Sequence, residues 1–171
     1  MSQKFDPVFH AALEAARAML AEERAAKYHA GEGLNHPAKL AEVLRPYFAG
    51  REQEVFVVVL LSSTLHLMGA EVLYRGTADA INVRPAEVFR RAVQMGARFI
   101  AVAHNHPGGD PTPSMGDWEV TEGLVKAGEI LEIPLVDHLV FGGDDWVSMR
   151  AQVSTFWPPD EESREYLKIA I

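Results

Sequence analysis

Residues 99–117 read FIAVAHNHPGGDPTPSMGD. This stretch constrains the fold more than any other. Phe99 to Ala103 is an apolar run with the composition of a buried strand. Three prolines (Pro107, Pro111, Pro113) and two glycines (Gly108, Gly109) follow within residues 107–113. Proline fixes φ and lacks a donor, so the chain must leave the sheet in a stiff loop. Ser114 is then placed to cap a helix running to about Leu131. Strand, rigid loop and helix must therefore follow one another directly.

The flanking segments continue the alternation. Val55 to Leu61 is a near-continuous β-branched apolar run, expected to be a buried strand. Leu67 to Tyr74 is expected to pair with it as a hairpin, broken at Gly76-Thr77. Pro85 to Met95 reads as a helix with Glu87 in its first turn and Val88, Phe89, Ala92 and Val93 on one face. Leu135 to Phe141 is a strand ended by Gly142-Gly143-Asp144-Asp145, and Trp146 to Met149 is a last short strand. Upstream, Asp6-Pro7 opens a helix reaching about Tyr28, His29 to Pro37 is a loop, and Ala38 to Tyr47 is a short helix. A terminal helix is expected from Asp160. Strands alternating with helices indicate an α/β domain with a mixed central sheet flanked by helices. The expected divisions are an N-terminal helical extension (1–36), the main domain (37–152) and a C-terminal tail (153–171).

His104 and His106 stand two apart at the strand end, so period-two geometry puts both imidazoles on one face. The loop turns sharply beyond them. Asp117, in the first turn of the next helix, can return its carboxylate to the same point. Two imidazoles and one carboxylate would leave one tetrahedral zinc position open, the catalytic pattern. The chain has no cysteine, so a transition metal has only imidazole and carboxylate ligands to use. Ser114-x-x-Asp117 also matches a plain capping box.

The whole pattern resembles the RadC branch of the JAB/JAMM (MPN-type) metallohydrolases. The resemblance is carried by Glu54 ahead of FVVVLL, by HNHPGGDPTPSMGD at 104–117, by Val136-Asp137-His138 and by Ser148. It spans about Pro37 to Gln152. It implies a cytidine-deaminase-like fold and one zinc ion per chain, held by His104, His106 and Asp117. It further implies Glu54 as general base and Ser114 as an oxyanion-stabilising hydroxyl. Glu52, beside Glu54, and Glu87 are rival carboxylates. His138 is expected to be a packed residue or a support behind the ligands rather than a ligand. His10, His29, His36 and His66 are expected at the surface. The chain departs from the branch at Gly108, where Ser is usual, at Pro85-Ala86-Glu87, and in an apolar turn at 62–67; none of these removes a ligand. Full-length members carry a helix-hairpin-helix region suited to DNA, and residues 1–36 show no such Gly-rich hairpin.

The implied activity is hydrolysis of a peptide or isopeptide bond in a peptide or protein substrate. Two alternatives stand beside it: a metal-dependent nuclease or DNA-repair-associated protein, and a non-catalytic interaction module. Charge disfavours nucleic acid. Residues 111–171 hold 4 Lys/Arg against 12 Asp/Glu, while the first 110 residues are balanced. An acidic third is a poor footprint for a phosphate backbone, although Arg84, Arg90, Arg91 and Arg98 could form a local basic stripe. No apolar run reaches membrane-spanning length and no signal peptide is visible, so a cytoplasmic protein without a membrane partner is expected. The oligomeric state is open, with a dimer as one option.

Overall fold

A computed structural model describes residues 7–28, 32–76, 83–152 and 157. Ten elements follow in order: α1 (Pro7–Ala26), α2 (Pro37–Phe48), β1 (Glu54–Leu61), β2 (Leu67–Gly76), α3 (Pro85–Met95), β3 (Phe99–Asn105), α4 (Met115–Leu131), β4 (Leu135–Gly142), β5 (Asp145–Ser148) and α5 (Met149–Gln152). The strands form one sheet in the order β2-β1-β3-β4-β5. β3 and β4 run parallel, and the other neighbours are antiparallel. The parallel pair is the one joined through a helix, α4, as a crossover requires.

Helices cover both faces of the sheet, which is why β1 is apolar without alternation. Val55, Val57, Val59 and Leu61 pack with Leu40, Val43 and Leu44 of α2 and Ala21 and Ala25 of α1. Phe56, Val58 and Leu60 pack on the other face with Val88 and Phe89 of α3 and Leu124 of α4. Each fully buried Phe, Leu or Val contributes about 1.5–3 kcal/mol. β3 divides the same way: Ala101 and Ala103 face α1 and α2, while Ile100 and Val102 face α3 and α4. Period two then sends His104 to the α4 face and Asn105 to the α2 face.

Local signals account for the helix ends. Pro85 opens α3, and Gly96 closes it at φ 65°, in the left-handed region that suits glycine. His36, expected at the surface, caps α2: its Nδ1 accepts from the Ala38 amide at 3.1 Å. Pro46 lies inside α2 and cannot donate to the Glu42 carbonyl. Arg24 of α1 uses that carbonyl instead, at 3.1 Å. Arg51 adds a two-pronged bond to the Glu14 carboxylate, both contacts at 2.8 Å. α1 is therefore fastened to the domain by polar contacts as well as by its buried alanines.

Several boundaries differ from the sequence reading. β3 continues through His104 and Asn105, because these pair with Phe56 of β1 and with Val140 and Phe141 of β4. The last strand is Asp145–Ser148, and Met149 starts a one-turn helix. The Ser148 hydroxyl accepts from the Ala151 amide and so caps that turn. Trp157 is buried, donating its indole N–H to the Leu135 carbonyl at 2.7 Å. The expected helix from Asp160, residue Asp6 and His29 lie outside the described residues. No helix among the described residues is long and apolar enough to cross a membrane.

Candidate metal centre

His104, His106 and Asp117 offer ligand atoms that all lie within 4.8 Å of one another, the arrangement that could hold a metal ion among the described residues. The His104 and His106 Nε2 atoms are 3.0 Å apart. Asp117 presents one carboxylate oxygen to each, Oδ1 to His104 at 3.1 Å and Oδ2 to His106 at 3.4 Å. β3 delivers the His104 ring, His106 follows one residue past its end, and the loop over 106–114 folds back to set the first turn of α4 against them.

His106 shows how the loop aims a ring. Its backbone amide bonds the Phe141 carbonyl at 2.7 Å, the last rung beside β4. Its Nδ1 meets the Asp110 carbonyl at 2.8 Å. A carbonyl only accepts, so Nδ1 carries the hydrogen in the neutral ring and Nε2 keeps a lone pair. That lone pair points at Asp117. Gly142 lets β4 touch this loop, since a Cβ there would lie 2.5 Å from Pro111 N and 2.6 Å from the Gly109 carbonyl oxygen.

His104 is backed by a buried polar chain. Its Nδ1 lies 2.8 Å from His138 Nε2, and His138 Nδ1 lies 2.6 Å from the Thr121 hydroxyl. That hydroxyl donates to the Asp117 backbone carbonyl at 2.5 Å. The chain returns to the residue that offers the third candidate ligand group.

The electrostatics follow from this crowding. Burial would raise the Asp117 carboxyl, but the adjoining His104 and His106 rings and the Ser114 hydroxyl outweigh it and hold it far below the usual carboxylate range. The Asp117 hydrogen bond raises His106 above its ordinary 6.5 against the opposing effect of burial, and Glu54 adds to the same field. Burial and the neighbouring His104 push His138 well down, so it is neutral. Two imidazoles and an ionised carboxylate converging on one point suit a divalent cation, and this donor set fits zinc.

The RadC-like JAB domain family model matches residues 34–154. The chain belongs to this family. A UPF0758 protein of Carboxydothermus hydrogenoformans is 37% identical over 144 residues, covering 81% of this chain and 64% of the relative. A UPF0758 protein of Alcanivorax borkumensis is 39% identical over 142 residues, covering 83% and 62%. One of Vibrio cholerae is 38% identical over 133 residues, covering 78% and 82%. The chain spans roughly half to two thirds of the length of the first relatives it matches.

Within this RadC-like JAB domain, Glu54 is the first residue of β1, half-buried, while Glu52 is exposed. It stands two before Phe56, which pairs with His104. Period two therefore places Glu54 on the sheet face that carries both histidines. Glu87, the rival carboxylate, is taken up by the Tyr74 hydroxyl and by Arg84. Ser114 forms a reciprocal cap with Asp117: its hydroxyl donates to Asp117 Oδ2 at 2.7 Å and accepts from the Asp117 amide at 3.2 Å. The capping box and the candidate ligand atoms thus fall on one carboxylate. A cavity of ≈ 350 Å³ opens beside His106, with Arg45, Phe48, Asn105 and Phe141 among its walls.

Thr121 and Gly142 have no signal in the RadC-like sequence pattern read alone: Thr121 reads as an ordinary helix residue and Gly142 as a strand end. Asn105 stands inside the motif at 104–117 but receives no role there, yet it is 5% exposed and bonds the β1 backbone at Gln53 and Val55.

Proposed function

We propose that this domain is a metal-dependent hydrolase that cleaves an amide bond, peptide or isopeptide, with His104, His106 and Asp117 holding one zinc ion. The observation that carries the reading is the convergence of these three donors with Glu54 on the same sheet face. Zinc, when bound, supplies a Lewis acid that polarises a carbonyl and acidifies water.

The protein's own groups supply the rest. Glu54 accepts the proton of the attacking water and passes it to the leaving nitrogen. Asp117, held strongly ionised, keeps its charge over the working range. The Ser114 hydroxyl is proposed to turn from Asp117 toward the oxygen that gains charge as the carbonyl is attacked. One such donor contributes about 2.7–4 kcal/mol in related cases.

The test joins metal analysis with turnover. Wild-type protein should hold one zinc, and Asp117→Ala should hold far less. Glu54→Gln should keep the zinc and lose cleavage of a panel of labelled peptides and isopeptides. Equal zinc in wild type and Asp117→Ala would overturn the ligand set. Turnover surviving in Glu54→Gln would remove Glu54 as the base. Cleavage of DNA but of no amide would move the domain to the nuclease reading.

A further inference from the structure

His104 has two ring nitrogens with different tasks. Nε2 faces His106 and Asp117, and Nδ1 faces His138. A neutral imidazole carries one N–H, so Nε2 has a lone pair to offer only when the hydrogen sits on Nδ1. Asp117 Oδ1, an acceptor 3.1 Å from Nε2, draws the hydrogen the other way, so something must hold it on Nδ1.

The hydrogen-bond directions can be traced from the far end. The Asp117 carbonyl only accepts. Its oxygen lies 2.5 Å from the Thr121 hydroxyl oxygen, so the hydrogen between them belongs to Thr121. Met149 Sδ, at 3.6 Å, is the longer and weaker alternative for that hydrogen; with it spent on the carbonyl, the Thr121 oxygen accepts from His138 Nδ1, 2.6 Å away. His138 then carries its hydrogen on Nδ1, and its Nε2 can only accept from His104 Nδ1, at 2.8 Å. Each step follows from the one before. The chain is dry: His104 is 1% exposed, and Thr121 and His138 are 0% exposed.

We propose that Thr121 is a tautomer latch, a positioning residue that acts through His138 to keep the lone pair of His104 on Nε2. The assignment rests on the reading that His104 Nε2 is a metal ligand. Removing the hydroxyl leaves His138 Nδ1–H without its acceptor. The other His138 tautomer relieves this, with its hydrogen on Nε2. It then donates to His104 Nδ1, and the His104 hydrogen moves to Nε2, where it closes the ligand position. A side chain four residues from Asp117 and seventeen from His138 would thereby decide whether a third residue can bind metal.

Thr121→Val keeps the shape and removes the hydroxyl, while Thr121→Ser keeps the hydroxyl. Two measurements separate the latch from ordinary packing. The first is zinc affinity by competition with a chelator. The second is the tautomer of His104 in the metal-free protein, read from its imidazole ¹⁵N shifts. Thr121→Val should weaken zinc by about ten- to a hundredfold and turn His104 to the Nε2–H form. Thr121→Ser should match wild type in both. Should Thr121→Val not fold, Thr121→Ala carries the same two readouts without crowding. A folded hydroxyl-free variant with wild-type tautomer and wild-type zinc affinity would overturn the proposal. The ¹⁵N measurement needs no metal, so the latch can stand or fall separately from the zinc reading. That reading fails when wild type and Asp117→Ala bind zinc alike.

Discussion

Asn105 holds the chain on both sides of Glu54. Its Oδ1 accepts from the Val55 amide at 2.9 Å, and its Nδ2 donates to the Gln53 carbonyl at 3.1 Å. The regular β1–β3 pairing ends at Phe56 and His104. One side chain therefore extends the β1–β3 ladder past its last backbone pair, beside the proposed base, and it does so from between the two histidines.

Asn105→Ala should leave the buried Val55 amide without a partner. That costs about 1–3 kcal/mol, to be read from urea unfolding of the metal-free protein. The histidines and Asp117 keep their own supports, so zinc stoichiometry should stay at one. Turnover should fall with Glu54 intact and fall no further in a Glu54→Gln background. An additive loss in the double variant would separate Asn105 from Glu54.

Gly142→Ala tests how closely β4 must approach the ligand loop. The new Cβ would meet Pro111 N at 2.5 Å, the Asp110 carbonyl carbon at 2.6 Å and the Gly109 oxygen at 2.6 Å. All are backbone atoms, so no side chain can swing aside. The loop must shift, at about 1–3 kcal/mol of overpacking. His106 takes both its amide and its Nδ1 partners from this region, so zinc affinity should fall along with thermal stability. Wild-type affinity in a destabilised variant would show that the loop yields without moving His106.

Ser114 serves the helix and, as proposed, the reaction. Ser114→Ala removes the cap and should cost about 1 kcal/mol of stability. Asparagine is an equally good cap, so Ser114→Asn should recover that stability. It should not recover turnover if the hydroxyl stabilises the oxyanion. Parallel recovery of both would assign Ser114 to the cap alone.

The pH responses of the metal-free and loaded protein should have opposite signs. His106 is raised above 6.5 in the folded state by Asp117. Its stabilising contribution is therefore full below the unfolded pKa and is lost as pH rises through the higher folded value. Metal binding instead needs the neutral ring. Zinc affinity should climb by about tenfold per pH unit up to the folded pKa of His106 and then level off. Chelator competition and urea unfolding across about pH 5.5–8.5 would check both slopes. Slopes of the same sign would exclude His106 as the proton competitor.

Much of this was legible one segment at a time. The spacing of His104 and His106 placed both rings on one face, and the Pro- and Gly-rich loop allowed Asp117 to return; both features stand in the structure. Capping chemistry placed the start of α4 at Ser114. The apolar run of β1 announced a strand covered on both faces. Asn105, Thr121 and Gly142 were not legible. Asn105 reaches residues about fifty positions away, and Thr121 needs an imidazole from β4. Nothing in their own neighbourhoods distinguishes them from a spacer and a helix surface.

By itself the sequence determined which elements form, which residue types are available to a metal and which are excluded. Those properties depend on neighbours two to four positions apart, where backbone sterics and side-chain periodicity act. The tertiary structure alone decided that β3 lies between β1 and β4. That order brings Glu54 to the histidines, His138 behind His104 and Gly142 against the ligand loop. It is a choice among competing burials of several strands at once, and no local pattern encodes the winner. The donors of the centre are local features of the chain, whereas the bonds that aim them belong to the packed sheet.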